Sequence, residues 1–254
     1  MQRNPADSEK TNPFDRHCIG HLSPSSLALY RAAPALWCLR YLYGIRDEAA
    51  AYAWRGKAVE AAVDAIVFDG SSDDAAIQLA MAVFEEEARG ELSDELNKQR
   101  NAIPNMVRRG GAEFRRLGRP VGRQHRVEVW LDGIEVPIVG YADYVYEDFV
   151  IDLKTTFALP SYPRPDHEVQ IVYYAEALSR RPGLIYVTPR RSARFPHNMI
   201  DVMTGRRILR QSAHAVRSML AVTKTREDAA SLFVPLDNYR WTDLTRSAAQ
   251  KVWL

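Results

Sequence analysis

The chain carries the segment VGYADYVYEDFVIDLKTT at residues 139–156, and its predicted fold depends on this segment. Two runs rich in valine, isoleucine and tyrosine flank a polar pair at 147–148, which is typical of two antiparallel strands joined by a tight turn. A two-residue turn there sets the register so that Asp143 lies opposite Asp152. The segment therefore predicts a β-hairpin in which two carboxylates face each other.

Lys154 is expected to share the face of these carboxylates, because side chains alternate along a strand. Like charges about 4.5–5.5 Å apart destabilise a sheet, and Asp152 lies within an apolar run where an unpaired charge is costly. A divalent cation would offset this cost, and oxygen-only ligands favour Mg²⁺ or Mn²⁺ over zinc. One alternative is a structural ion pair between Asp152 and Lys154. Asp143 alone also fits an ordinary solvent-facing strand.

Two predicted helices add polar residues to this group. Glu60 lies on the apolar stripe of a helix over 54–68, where Asp64, one turn later, is the rival ligand. Gln170 and Tyr174 lie one turn apart on a second helix that is apolar nearly all round, so both are expected to be buried or to line a cleft. A solvated glutamate and a core polar pair are the alternatives.

The fold class is predicted to be α/β, with a mixed central sheet of about four strands, flanking helices and an N-terminal helical addition. One domain is expected over 22–254, with a helical insertion at about 70–120, after a mobile arm over 1–21. The predicted helices are 23–43 with a break at Pro34, 54–68, 73–97, 105–117, 166–179, 204–222 and 241–253, and the predicted strands are 123–131, 134–146, 149–155 and 184–187.

Charge is distributed unevenly along the chain, although the net charge is only +2. Residues 47–95 hold 13 acidic and three basic residues, whereas 98–126 and 180–217 each hold nine basic residues and one acid. Arginine dominates, and its planar fork matches phosphate oxygens, which suits a track for nucleic acid. A solubilising surface is the alternative. The candidate phosphate contacts are Arg55, Arg108, Arg109, Arg115, Arg116, Arg190 and Arg191.

Other features exclude several classes of protein. No apolar run approaches the ~20 residues of a membrane span, and the first residues lack the pattern of a secretion signal or transit peptide. A cytoplasmic protein is therefore expected. Cys18 and Cys38 are too few for a cysteine-only zinc or iron-sulfur site and are predicted to be reduced thiols.

Together these motifs resemble the PD-(D/E)XK nuclease superfamily, and within it the RecB-like exonucleases, including lambda-type phage exonucleases. The resemblance covers most of 22–187 and implies a restriction-endonuclease-like core. The motifs that carry it are LSPSSLALYRAAPALWCLRYLYG, WRGKAVEAAVD, GYAD, VIDLKTT and the QxxxY pattern of VQIVYYAEA.

The resemblance also implies roles for individual residues. Many RecB-like members carry histidine where this chain has Glu60, and the glutamate is similar to lambda-type enzymes. The namesake motif begins with Ala142-Asp143 rather than Pro-Asp, which leaves the ligand intact. Some relatives hold an iron-sulfur cluster, but no cysteine follows Cys38, so no cluster is expected. The implied metal ligands are Glu60, Asp143, Asp152 and the Leu153 carbonyl; Lys154 would serve the attacking water, and Gln170 and Tyr174 would line the DNA path.

The sequence thus predicts a deoxyribonuclease that uses Mg²⁺ or Mn²⁺, most simply an exonuclease of phage-type or bacterial recombination or repair. The alternatives are a structure-specific endonuclease of the same superfamily and a nucleic-acid-binding module without activity. A recombinase or single-strand-binding protein is implied as a partner by the resemblance alone. No pattern in the sequence marks a subunit interface.

Overall fold

The computed structural model describes residues 12–46, 50–89, 93–238 and 240–253. These residues fall into two compact units. One unit is built from residues within 1–47, 128–140 and 206–254, and the other from residues within 48–127 and 141–205. The single domain expected over 22–254 stays a prediction.

A five-stranded mixed sheet is formed by the described residues, in the order β1-β2-β3-β4-β5. The pair β2–β3 is antiparallel, β3–β4 is parallel and β4–β5 is antiparallel. The predicted α/β class with a mixed sheet is therefore confirmed, with five strands instead of about four. The strands are β1 Gly122–Val129, β2 Ile138–Val145, β3 Phe149–Thr155, β4 Arg181–Val187 and β5 Ser192–Phe195.

The hairpin register agrees with the prediction, since Val145 pairs with Val150. The predicted strands differ from the structure in three main respects. Strand β4 begins at Arg181 and not at 184. The second predicted strand began at 134, but β2 begins at Ile138, because the buried side chains before it lie on irregular backbone. The short edge strand β5 was not predicted, since only four residues carry its pattern.

The helices lie before, between and after the strands. No helix within the described ranges is long and apolar enough to span a membrane. Their bounds are α1 Pro13–Arg16, α2 Pro24–Ala32, α3 Pro34–Tyr41, α4 Ala51–Phe68, α5 Asp73–Ala88, α6 Asp94–Leu117, α7 Pro165–Ala177, α8 Val202–Val222, α9 Arg226–Ser231 and α10 Asp243–Trp253, with a 3₁₀ turn at His197–Met199.

Helices α4 and α6 pack against the sheet, α5 packs on these two helices, and all three share one apolar core with the sheet. Two glycines of α6 allow the close approach of α4. A Cβ atom at Gly110 would lie 2.9 Å from Val63 Cγ2, and one at Gly111 would lie 2.7 Å from Ile66 Cδ1. Both distances are shorter than real side-chain contacts allow, so glycine at these positions permits the short distance between α4 and α6.

The break between α5 and α6 lies earlier than predicted. The sequence indicated helices over 73–97 and 105–117, with Pro104 between them. Instead α5 ends at the left-handed Arg89 (φ 48°), and α6 begins at the capping residue Ser93 and continues through Pro104. The serine cap and the acidic first turn of α6 stabilise the earlier start and outweigh the hydrogen bond lost at the proline.

The arm predicted over 1–21 differs from the structure in its second part. Residues 12–21 contain α1, whose Phe14 is fully buried at 0 % exposure. His17 is also buried, and its Nε2 lies 3.2 Å from the carbonyl oxygen of Thr223. A single aromatic residue among polar neighbours gives no periodic pattern, so the sequence did not predict that Phe14 is buried. Residues 1–11 lie outside the described residues.

Candidate active site

Asp152 and Lys154 form the centre of the site on β3. Lys154 Nζ lies 2.7 Å from Asp152 Oδ2 and donates to Gln170 Oε1 at 3.0 Å. Gln170 Nε2 in turn donates to Tyr174 Oη at 3.0 Å. The two residues of α7 that the sequence singled out are thus linked to the strand lysine. A partly buried chain of contacts therefore runs from the Asp152 carboxylate to the Tyr174 hydroxyl.

Asp143 and Glu60 join this centre from β2 and α4. Asp143 Oδ2 accepts a hydrogen bond from the backbone N–H of Leu153 at 3.3 Å. The side-chain nitrogen of Gln124 donates to Glu60 Oε1 and lies 3.4 Å from Asp143 Oδ1. The structure therefore brings together the acids and the lysine that the sequence predicted, and it adds Gln124 between two of the acids.

Asp64, the rival of Glu60, lies one turn further along α4 and is engaged elsewhere. Arg123 Nη1 donates to Asp64 Oδ2 at 3.3 Å. Glu60 is held by different contacts, since the hydroxyl of Tyr144 donates to its backbone carbonyl at 3.5 Å. Of the two acids, Glu60 carries the side chain that meets Gln124 beside Asp143.

Asp152 is the unusual member of the group, because it is fully buried at 0 % exposure. Neither carboxylate oxygen accepts a hydrogen bond of regular geometry from the described residues, although Oδ2 touches the Lys154 ammonium. A buried carboxylate with unfilled lone pairs costs free energy unless a further positive group approaches it.

Electrostatic coupling within the group shifts several pKa values. Burial raises the pKa of Asp143 well above its ordinary range, and the charges of Asp152 and Glu60 raise it further. Burial also raises the pKa of Glu60. Burial alone would lower the pKa of Lys154, but the charges of Asp152 and Asp143 raise it above its usual value. The lysine therefore stays an ammonium ion, and the acids lack enough positive charge nearby.

His167 and Tyr186 border the site and were not predicted. His167 Nδ1 lies 2.7 Å from Tyr186 Oη, which also accepts a hydrogen bond from the backbone N–H of Arg164 at 3.1 Å. Burial, assisted by the charge of Lys154, lowers the pKa of His167 to about 4, so its ring is neutral at neutral pH. The helical period could have indicated His167, because His167, Gln170 and Tyr174 lie three and four residues apart on one face of α7.

Arg55 does not fit its predicted role as a phosphate contact. It is only 4 % exposed, and its guanidinium donates to Gln99 Oε1 and to the carbonyl oxygen of Thr155 at 3.1 Å. The ring of Phe157 lies 4.9 Å from its Cζ. Arg55 therefore ties the first turns of α4 to the end of β3, just beyond Lys154.

We expect Arg55→Ala to lower the free energy of unfolding by about 2 kcal/mol, because Gln99 and Thr155 would lose their buried donor. Chemical denaturation of the two proteins measures this change. An arginine without a phosphate contact should leave the slope of log affinity for nucleic acid against log salt as in the wild type. A decrease of the salt slope by about one unit would instead mean that Arg55 contacts phosphate.

The other predicted arginines divide into two groups. Arg190 and Arg191 are exposed on the turn after β4, and no hydrogen bond or ion pair of their side chains is found within the described ranges. The remaining four have protein partners. Arg108 lies 3.7 Å from Asp74, Arg115 contacts Asp73, Arg116 lies 3.5 Å from Glu113, and Arg109 donates to the Pro189 carbonyl at 3.3 Å.

The donor set fits a hard divalent cation in its chemistry. Carboxylates are what Mg²⁺ and Mn²⁺ prefer, and the orphaned oxygens of Asp152 have capacity for one more positive partner. As the side chains stand, no group of three His, Cys, Asp or Glu residues within the described ranges is arranged to hold a metal ion. The Gln124 amide and the Lys154 ammonium lie against the acids instead.

A comparison with protein families agrees with this geometry. A family model described as "PD-(D/E)XK nuclease superfamily" matches residues 21–240. The chain belongs to the PD-(D/E)XK nuclease superfamily. Membership in this superfamily implies a nuclease that acts on nucleic acid, and PD-(D/E)XK nucleases generally use divalent metal ions such as Mg²⁺.

Other comparisons add little to the description of this PD-(D/E)XK protein. No significant match was found among the curated proteins. A solved structure titled "Crystal structure of SSO0001" is 19 % identical and covers 76 % of this chain and 84 % of that chain, with a TM-score of 0.32. At that TM-score the match supports no conclusion about the fold or the function of this chain. The RecB-like and lambda-type subtype stays a prediction.

Proposed function

We propose that the protein is a metal-dependent DNA exonuclease that hydrolyses phosphodiester bonds. The observation that carries this proposal is the fully buried Asp152, whose oxygens accept no regular hydrogen bond from the described residues although Lys154 contacts it and Asp143 and Glu60 lie close enough to interact with its charge. A purely structural ion pair would have no need of two further acids, whose presence raises the electrostatic cost of the site. The exonuclease subtype is supported by the glutamate at position 60.

The metal ligands would be Glu60, Asp143, Asp152 and the Leu153 carbonyl. Bound Mg²⁺ or Mn²⁺ supplies a water of lowered pKa and stabilises the negative charge that develops on the phosphate. The backbone N–H of Leu153 holds Oδ2 of Asp143. The other oxygen, Oδ1, lies 3.4 Å from the Gln124 side-chain nitrogen and would be the one that serves as a ligand.

Lys154 is positioned to direct the attacking water. Two of its three N–H groups are used by Asp152 and Gln170, and these contacts fix the direction of the third. Tyr174 accepts from Gln170, so its own O–H is left to donate to a phosphate oxygen. In this proposal the lysine orients the nucleophile and the tyrosine binds the DNA strand.

The exposed turn after β4 is the proposed contact with the DNA backbone. Strands β3 and β4 are parallel, so the turn that follows β4 lies near the carboxyl end of β3, where Lys154 is located. The buried hydroxyl of Thr188 shapes the turn, because it accepts hydrogen bonds from the backbone N–H groups of Arg190 and Arg191. Neither guanidinium group has a partner among the described residues, so both could neutralise phosphates.

We expect the double variant Arg190→Ala, Arg191→Ala to weaken DNA binding and to reduce the slope of log affinity against log salt by about 2, because about 0.9 counterion is released per neutralised phosphate. Binding is measured by fluorescence anisotropy over a range of salt concentrations with Ca²⁺ in place of Mg²⁺. Arg226→Ala, which removes an exposed arginine paired with Glu227, is the matched control and should leave the slope unchanged. An unchanged slope in the double variant would refute this contact.

Cleavage of end-labelled linear DNA and closed circular DNA in Mg²⁺ tests the proposed function. An exonuclease degrades only the linear DNA, because it needs an end. Cutting of the circle would show the endonuclease alternative. Binding of DNA without cleavage of either substrate, at any Mg²⁺ or Mn²⁺ concentration, would show the inactive binding module.

The biological setting that we propose follows from the same resemblance. An exonuclease of this type would act in DNA recombination or repair in the cytoplasm of a bacterium or a phage-infected host. A single-stranded product would be the substrate of a recombinase or single-strand-binding protein, which we propose as a partner. Co-purification of such a protein with the nuclease bound to linear DNA would support this setting. The protein should not co-purify when closed circular DNA, which has no end, replaces the linear DNA.

A further inference from the structure

Gln124 has a backbone conformation that its place in a strand does not explain. Its φ is +45°, the left-handed region that side chains other than glycine adopt only at a cost. The other three non-glycine residues with positive φ within the described ranges directly follow a helix or lie just beyond its end: Cys18, Arg89 and Ser179. Left-handed residues are common there, so Gln124 within β1 is the exception.

The left-handed backbone conformation at Gln124 directs its side chain toward two acids. Its amide nitrogen donates to Glu60 and lies 3.4 Å from Asp143 Oδ1. Glu60 lies on a helix and Asp143 on the neighbouring strand, so the amide bridges two separate elements. Bulge-like distortions of strands beside active sites commonly re-aim a side chain in this way.

Packing does not account for the conformation either. Gln124 is exposed to solvent and belongs to neither the buried core nor the cluster packed against it. The contacts that offset the backbone strain are those with the acids. The side chain therefore serves the site and not the stability of the sheet.

We propose that Gln124 is a neutral oxygen ligand of the metal centre, which rests on the proposed function. The amide carries a nitrogen donor on one side and an oxygen acceptor on the other, and half a turn about its last bond exchanges them. In the metal-free protein the nitrogen bridges Glu60 and Asp143. With Mg²⁺ or Mn²⁺ present, the oxygen faces the cation, because such cations accept amide oxygens as ligands.

Gln124→Gly tests this proposal. Glycine adopts a φ of +45° without strain, so the variant loses the side-chain amide and its backbone strain is relieved. We expect thermal unfolding of the metal-free variant to stay close to that of the wild type, and the Kd for Mn²⁺, measured by calorimetric titration, to rise by about 10-fold. His125→Ala, a change at the next exposed residue, is the control and should leave the Kd unchanged.

Gln124→Glu is expected to change the Kd for Mn²⁺ in the opposite direction. A carboxylate at this position would add a charged ligand, so we expect the Kd for Mn²⁺ to fall by about 10-fold. A residue that acts only on the backbone would not tighten metal binding. If Gln124→Gly does not fold, Gln124→Asn replaces it, because asparagine tolerates the left-handed region and its shorter amide does not span the two acids.

The outcomes separate this inference from the proposed function. A wild-type protein that binds no Mn²⁺ would refute both. A wild-type protein that binds Mn²⁺ with the same Kd as Gln124→Gly would refute the role of Gln124 and leave the metal centre standing. Weaker binding in Gln124→Gly together with tighter binding in Gln124→Glu is the result that supports it.

Discussion

Lys154→Met is expected to lower the rate of DNA cleavage by about 10³-fold, because no other described cation contacts both Asp152 and Gln170. Methionine keeps most of the volume of the lysine stem and removes only its charge and donors. Single-turnover cleavage of end-labelled DNA measures the loss. Mn²⁺ should still bind, since the acids remain.

The same substitution should also change stability. Lys154 is only 21 % exposed and supplies the counter-charge of a carboxylate with no exposure at all. Breaking a buried pair costs about 3–5 kcal/mol, so the metal-free Lys154→Met protein should unfold at a lower denaturant concentration. Adding Asp152→Asn should restore much of this loss, because the uncompensated charge is gone. If the double variant is no more stable than the single one, the pair does not behave as the structure implies.

Asp143→Asn is expected to separate function from stability. The acid lies beside Asp152 and Glu60, whose charges oppose its own. Asparagine keeps an oxygen for the Leu153 N–H, so the metal-free variant should be more stable than the wild type by about 1 kcal/mol. Cleavage should fall by about 10³-fold, because one metal ligand is weakened. Denaturation in EDTA and cleavage in Mg²⁺ measure the two effects.

Asp64→Asn is the matched control for this result. Asp64 belongs to the same helix as Glu60 but is paired with Arg123. Its loss should leave cleavage at the wild-type rate. If Asp64→Asn lost activity as Asp143→Asn does, the assignment of the helix acid to Glu60 would be wrong.

The sequence predicted the centre of the site because a strand and a tight turn constrain position strongly. Period-two alternation and a two-residue turn were sufficient to set the register in which Val145 pairs with Val150. Asp143, Asp152 and Lys154 follow from that register without any tertiary information. Glu60 and the pair on α7 needed the helical period and the resemblance as well.

Other features depend on tertiary contacts that no local pattern carries. Arg55 looked like a surface cation in an uneven charge distribution, yet it is buried against Gln99 and Thr155. Gln124 lies in a polar run with no apolar period, and its φ follows from contacts with acids distant in sequence. The start of α6 was decided by a cap at Ser93 that outweighs Pro104. In each case a contact or cap overrides the average preference.

The dependence of cleavage on Mg²⁺ is the measurement that decides whether these acids form a hydrolytic metal centre. The wild-type protein, freed of metal with EDTA and dialysed, is mixed with end-labelled linear DNA while Mg²⁺ is raised from zero. We predict no cleavage without the cation, saturable cleavage with it, and none at any concentration for Asp152→Asn. Cleavage that persists in EDTA, or an Asp152→Asn protein that cuts at the wild-type rate, would contradict the metal centre.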